Sequence, residues 1–409
     1  MSDAAGAAGS LFADRAFVRV WVIGVLIGVV RWLEFLAIGI FAYDVTGSAF
    51  LVALLALLRF LPLALFGVVI GALSDLFDTP RLLRYGMAGA SVVSMVMTAL
   101  FVAGVAEYWH VAVSVFLSGV VWASDQPWRR KLIGEIAGPD RLGRAMAMDA
   151  ATSNGTRMLG PLLGGVVYQW LGGAGVFAVG VVMYFVAYLM LARVQGVAAP
   201  PASQAGAAGS WWLRPLAGAW QAVRYAAADR EVMCILGVTV VFNIWGFPML
   251  SMVPVIGKDE LALPASAIGA MSALEGACAF IGAVTLARFA RPAGRRRFYF
   301  GGVCVLHMVI FIMGMVPGEM TLVLGLLGFG FSAACFSSMQ STLAYQVAPL
   351  EMRGRLLGLI TICIGSGLIG FANIGALAEA FGASTALWIV ALEGAVPLIV
   401  IGVAWREIW

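Results

Sequence analysis

The chain has 409 residues, 62% of them hydrophobic and only 11% charged, with a formal net charge of +4 and a mean hydropathy of +0.98. A soluble domain carries roughly 25% charged residues because its surface faces water. This composition therefore excludes an ordinary soluble protein and predicts an all-α integral membrane protein.

Met1 to Ser10 is small and polar, with no basic stretch before an apolar core, so the first apolar segment is expected to be a retained helix and not a cleaved signal. At about 20 residues per span, the apolar runs predict transmembrane helices at 17–43, 49–74, 81–105, 108–128, 143–171 and 174–194. After one long connection they resume at 232–256, 264–289, 297–316, 319–347, 354–381 and 384–405. The expected organisation is a six-helix bundle over 1–194, a linker over 195–231 and a second six-helix bundle over 232–409. The first part of the linker, Gly196 to Ser210, is rich in Ala, Gly, Pro and Ser, as a flexible tether would be. The second part places Trp212, Leu216, Trp220 and Val223 on one helical face beside Arg214, Arg224 and Arg230, which predicts an interfacial amphipathic helix.

The basic residues fix an expected orientation. Of the 25 lysines and arginines, only Lys258 falls in the loops on one side, and Arg31, Arg59 and Arg157 lie inside helices. All the others flank the termini or the alternate connections. Positive charge stays on the cytoplasmic side, so both termini are expected there, in a multi-pass protein of the inner membrane. The basic surplus then faces anionic lipid, and no nucleic-acid partner is implied.

The halves also repeat. Pro139, Gly160, Gly165 and Gly172 recur as Pro349, Gly370, Gly375 and Gly382, each offset by 210 residues. Paired repeats of this kind mark transporters, with the substrate site expected near the midplane where the repeats meet.

Several motifs carry a family likeness. Gly71-Ala-Leu-Ser-Asp75-Leu-Phe-Asp78-Thr-Pro-Arg81 resembles the signature loop of the major facilitator superfamily. Gly155-Thr-Arg-Met-Leu-Gly160-Pro161-Leu-Leu-Gly164-Gly165 resembles the helix-five motif of that superfamily's exporters. Together with Thr46-Gly47-Ser48, Arg59-Phe-Leu-Pro62 and Asp125-Gln-Pro-Trp-Arg129-Arg130, these pieces resemble the enterobactin-exporter-like branch, which includes macrolide-efflux proteins. The likeness is strongest in the first half; in the second, Arg288 stands where the repeated loop would carry an Asp. It implies the major facilitator fold, with the first, fourth, seventh and tenth helices around a cavity and the second, fifth, eighth and eleventh beside them. It also implies that Asp75, Asp78 and Arg81, with Asp125, Arg129, Arg130 and Asp149, form a cytoplasmic gate.

Charges at membrane depth cost about 2.5–3.5 kcal/mol each on insertion scales, so they are expected to be functional. Arg31 and Glu34 share a helix face at i and i+3, which makes Glu34 the first candidate for proton coupling, tuned by Arg31, and Glu275 the second. The expected substrate cavity contains Arg31, Arg59, Asn154 and Arg157, with Asn243, Trp245, Phe247, Phe336, Ser338 and Met339 from the second half. Glu393 lies on an outer helix and has no assigned role. The five cysteines (Cys234, Cys278, Cys304, Cys335, Cys363) form no CxxC pair, and His110 and His307 have no partner at ligand spacing. No metal site, disulfide framework or cofactor is expected. No nucleophile–base pair or phosphate-binding loop suggests an enzyme.

The expected activity is proton-coupled antiport, exporting a small amphiphilic organic molecule such as a siderophore-like metabolite or a drug, by a monomer. The alternatives are a proton-coupled importer of a nutrient or anionic metabolite, to which the three intramembrane arginines lend weight, and a lipid transporter on the same fold.

Overall fold

A computed structural model describes residues 11–194, 223–289, 294–349, 352–405 and 408. The linker before residue 223, and with it most of the expected amphipathic helix, lies outside the described residues. Among the described residues the chain is helical throughout, and ten helical stretches are long and apolar enough to cross a membrane.

Helix α1 (Arg15–Thr46) begins at Asp14, whose carboxylate accepts from the Ala16 and Phe17 amides. It ends at Gly47, which adopts a left-handed φ of 62° that costs glycine little. Ser48 immediately caps α2 (Ala49–Leu76) by accepting from the Leu51 amide at 3.1 Å. The Thr46-Gly47-Ser48 motif is therefore a stop signal and a start signal in adjacent residues. Helix α3 (Thr79–Val102) follows, with Asp78 before it and Pro80 in its first turn.

The next stretch, α4 (Tyr108–Leu191), comprises helical segments separated at Gly138 (φ 68°) and Gly172 (φ 59°), where the backbone leaves helical geometry. Here the structure corrects the sequence reading, which placed a loop over 129–142. The helix instead continues to Ala137, because Arg129 and Arg130 find carboxylates within the fold and do not need to leave the helix for water.

A second correction concerns 232–256, read as a regular helix. The α5 helix (Arg230–Val241) gives way to a π-turn at Phe242–Gly246, a 3-10 stretch at Phe247–Met252, one α-turn at Val253–Val255 and a second π-turn at Ile256–Glu260. Pro248 and Pro254 each remove a backbone donor, and π-turns are frequent at functional sites. Helices α6 (Ala265–Phe289), α7 (Arg295–Met315) and α8 (Glu319–Val347) are continuous. The predicted 354–381 span divides into α9 (Arg353–Gly365) and α10 (Gly367–Phe381) at Ser366, and α11 (Ala383–Ala404) closes the chain.

One apolar core lies wholly within residues 11–194 and includes Phe17, Ile23, Leu83, Met87, Leu132 and Tyr184. A larger one centres on the second half and reaches residues of α1 and α2. The halves meet where α4 packs on α6 and α2 packs on α10. At Gly165 a Cβ would lie 2.4 Å from the Ala265 carbonyl oxygen, and at Gly164 one would lie 2.7 Å from that of Leu33. The glycines of the helix-five motif thus bring backbones into direct contact on two sides.

Candidate substrate pathway

Arg31, Arg59 and Arg157 each meet a carboxylate from another element. Arg31 of α1 donates to Asp125 of α4 at 3.2 Å, and its guanidinium lies 5.3 Å from the centre of the Trp122 ring. Arg59 of α2 donates to Glu34 of α1 at 3.2 Å. Arg157 of α4 donates to Glu275 of α6 at 2.5 Å and stacks over Trp32 at 5.0 Å. Arg31 and Glu34 share a helix face as expected, but each pairs elsewhere. The charged members other than Arg157 are buried, with residue exposures of 1% for Glu34 and 4% for Arg59 and Glu275, and Arg157 is partly buried.

The Arg31–Asp125 pair continues into a chain of charges. Asp125 also accepts from Arg129 at 3.3 Å, Arg129 binds Asp149, and Arg130 binds the other oxygen of Asp149 at 2.9 Å. Gly24 makes room for this chain, since a Cβ there would sit 2.6 Å from an Arg129 nitrogen. Four expected residues, Asp125, Arg129, Arg130 and Asp149, are thus brought together, linked to Arg31. Arg81 pairs locally with Asp78 at 3.4 Å and is largely exposed. The side chain of Asp75 lies outside the described residues.

Four buried polar atoms in the network have no hydrogen-bond partner: Arg31 Nε, Arg59 Nε, Arg157 Nε and Glu34 Oε1. Such atoms carry a desolvation cost of about 1–3 kcal/mol or more for charged groups, which a water or a ligand would relieve. Arg59 lines a narrow cavity of about 20 Å³ between the halves, together with Phe35, Leu250, Ser251 and Pro254. Beside it Phe60 of α2 packs with Phe247 and Phe371, ring centres 5.5 Å away in both cases.

The second-half residues expected in the cavity separate. Phe247 reaches the interface between halves. Asn243 donates to the Thr239 carbonyl at 2.8 Å within its own helix, and Trp245 donates to Glu393 at 2.9 Å. Phe336 stacks on Phe242 at 3.8 Å, and Met339 is buried in the same core. Ser338 and Asn154 are half-buried. The sequence reading missed a neutral network in which Gln340 donates to the Thr239 hydroxyl at 3.0 Å, with the Tyr299 hydroxyl 2.9 Å from it. Its members are ordinary core residue types and carry no spacing signal.

It also missed a set of contacts joining the halves at the end opposite the termini. Asp44 pairs with Lys258 at 2.9 Å and accepts from the Tyr168 hydroxyl at 2.9 Å. Glu379 accepts from the Ser48 hydroxyl at 2.8 Å and the Phe50 amide at 3.2 Å, and the Ser266 amide donates to Gln169. At the termini end, contacts such as Arg141–Asp14, Arg19 to the Arg193 carbonyl and Arg296–Glu231 each stay within one half.

Many membrane-length helices, broken by proline and glycine around a charge network in the first half that the Arg157–Glu275 pair extends to the second, define a multi-pass membrane transporter. Residues 20–372 match the Major Facilitator Superfamily, and the chain belongs to that family of secondary transporters. It is 22% identical over 165 residues to the staphyloferrin A transporter of Staphylococcus aureus, a match that spans 39% of this chain and 41% of that protein. Solved structures of similar fold include a bacterial homologue of the human lysosomal transporter Spinster in an inward-facing, unoccupied conformation, at TM-score 0.73 and 14% identity, covering 96% of this chain and 97% of that one. Others are the nucleoside transporter NupG, at TM-score 0.73 and 11% identity over 96% and 99%, and a POT family transporter in complex with a thioalcohol-conjugated peptide, at TM-score 0.73 and 10% identity over 96% of both chains.

Proposed function

We propose that this protein is a twelve-span antiporter of the inner membrane, with two six-helix bundles and both termini in the cytoplasm. It exports a small amphiphilic organic molecule, siderophore-like or drug-like, in exchange for protons by alternating access. The observation that carries this reading is the Arg157–Glu275 pair, which crosses from a helix of one half to a helix of the other. A charge pair that must part or rearrange as the halves move is a natural place to couple ions to transport. Glu34, paired with Arg59 and with one oxygen unpartnered, is the companion proton site. The contacts of Lys258 with Asp44 and of Glu379 with Ser48 and Phe50 join the halves at the outer end and would hold that end shut. The Asp125–Arg129–Asp149–Arg130 cluster and the Asp75-to-Arg81 loop form the cytoplasmic gate.

The kinship with a siderophore transporter favours a siderophore-like cargo, and the helix-five motif favours export. Import of an anionic metabolite is less favoured, because Arg31, Arg59 and Arg157 are each already bound to a carboxylate. The test is a thermal-shift ligand screen on purified protein, followed by flux of the stabilising compounds in proteoliposomes under an imposed pH gradient. Gradient-driven flux against the proton movement is expected; flux indifferent to the gradient for every compound would overturn proton coupling.

A further inference from the structure

The glycine repeat has a companion pair that residue identity conceals. Gly165 and Gly172 recur at an offset of 210 as Gly375 and Gly382, and the same offset pairs Gln169 with Glu379. Each of these two side chains follows the first glycine by four residues and precedes the second by three. Gly172 and Gly382 take left-handed φ values of 59° and 87°. Gln169 and Glu379 therefore sit in the last turn of their helical segments, in α4 of one half and α10 of the other.

Both helix ends meet the beginning of a helix from the opposite half. The Ser266 amide donates to Gln169 Oε1 at 2.9 Å, and the Phe50 amide donates to Glu379 Oε2 at 3.2 Å. Ser266 is the second residue of α6, and Phe50 is the second residue of α2. The first amides of a helix have no acceptor within it and depend on a side chain or water. Here each is capped from across the halves. The glycine one turn earlier sets the approach: a Cβ at Gly165 would lie 2.4 Å from the Ala265 carbonyl oxygen, and one at Gly375 would lie 2.7 Å from Ala53 Cβ and 3.4 Å from Phe50 Cα. The same arrangement, a glycine followed one turn later by an oxygen acceptor, is thus used twice in positions related by the internal repeat.

The two copies differ in how many donors they serve. Glu379 also accepts from the Ser48 hydroxyl at 2.8 Å, two residues before Phe50. Two residues before Ser266 stands Pro264, which has no side-chain donor. Both acceptors are exposed, so water can take over their bonds when the halves part, which suits a contact broken and remade in every cycle.

We infer that Gln169 and Glu379 are a matched pair of latches. Each holds the outer end of its own half against the other by capping a helix there, and together they set the balance between this conformation and one open at the outer end. They are positioning residues that act on the conformation and not on the cargo. The inference rests on the alternating-access reading above but not on its proton coupling, and its test needs neither a pH gradient nor a substrate.

The experiment is pulsed electron double-resonance spectroscopy of the full chain in nanodiscs, in a background lacking the native cysteines. One pair of spin labels, at Val105→Cys and Val316→Cys, reports the outer end; a second, at Tyr85→Cys and Phe289→Cys, reports the end that carries the termini, and all four positions are exposed. Gln169→Ala and Glu379→Ala are each expected to raise the population with a long outer distance several-fold, while the distance at the other end shortens. Glu379→Ala should have the larger effect, since it strands two donors. Glu379→Gln, which restores the acceptor that the first half itself uses, should return both distances toward wild type. Unchanged outer distances in both alanine variants would overturn the proposal, as would broadening at both ends together, the mark of a damaged fold. A Glu379→Gln variant indistinguishable from Glu379→Ala would also overturn it, because a shared acceptor role would then not be what the repeat preserves. If the distances respond as expected while wild-type flux ignores a pH gradient, the antiport reading fails and the latches stand.

Discussion

Arg157 donates to Glu275 at 2.5 Å, and the two residues lie on opposite halves of the chain, 118 positions apart. Gly276, next to Glu275, lies against the Arg157 backbone so closely that a Cβ would fall 2.5 Å from its carbonyl carbon. The ion pair and one of the close backbone approaches between the halves are therefore one feature, in which a small residue brings two helices near enough for a charge-assisted bond.

Removing one partner of this pair leaves the other uncompensated. Arg157→Ala is expected to cost about 3–5 kcal/mol, seen as a lowered melting temperature in detergent. The double variant Arg157→Gln with Glu275→Gln should recover much of that loss, because both charges are gone. A double-mutant cycle with no coupling would show that the pair is incidental.

Glu34 makes a second prediction. Glu34→Gln should abolish pH-driven flux in proteoliposomes while substrate exchange, which needs no net proton movement, survives. Its contact with Arg59 can persist through the amide oxygen, so folding is not the expected casualty. A wild-type response to the gradient would exclude Glu34 as the essential carrier, and Glu275→Gln becomes the next variant to measure.

The helix-five motif separates packing from permissiveness within a single run of residues. Gly165→Ala drives a methyl group against the Ala265 carbonyl and the Gly269 backbone, where neither neighbour can yield without moving a helix. A loss of more than about 1 kcal/mol is expected from overpacking, together with strongly reduced transport. Gly155→Ala meets nothing within 4 Å and should leave both melting temperature and flux near wild type. Equal effects of the two substitutions would mean that the glycines serve a purpose other than close approach.

The outer closure can be tested by accessibility. In a background lacking the native cysteines, Ser251→Cys places a thiol on the narrow cavity behind the Asp44–Lys258 contact. Adding Lys258→Gln should raise its labelling by a membrane-impermeant maleimide applied from outside, several-fold if the contact helps hold that end shut. A partly exposed ion pair alone contributes about 0–1 kcal/mol, so the shift should be modest and reduced at high salt in the parent protein.

The membrane class, most helix positions and the identity of the charged residues were legible in the sequence, because apolar length and the rarity of intramembrane charge are local properties. Helix α8 begins and ends where the apolar run does, and the Thr46-Gly47-Ser48 turn carries its own cap signals. The continuation of α4 through Arg129 and Arg130 was not legible, since it depends on Asp149 arriving from a later turn of the chain to neutralise them. The partners of Arg31 and Glu34 were hidden for the same reason. Spacing along α1 shows that the two share a face, but only the packing of α2 and α4 against it decides that Arg59 takes one and Asp125 the other. Glu393 is the sharpest case: in sequence it is a lone acid on an outer helix, and its setting is created by Trp245 and Asn373, which reach it 148 and 20 positions away. Sequence determines which charges must be buried; the tertiary structure decides what each one meets, because in hydrocarbon a polar group has no water to fall back on and takes whichever donor the packed helices bring within reach.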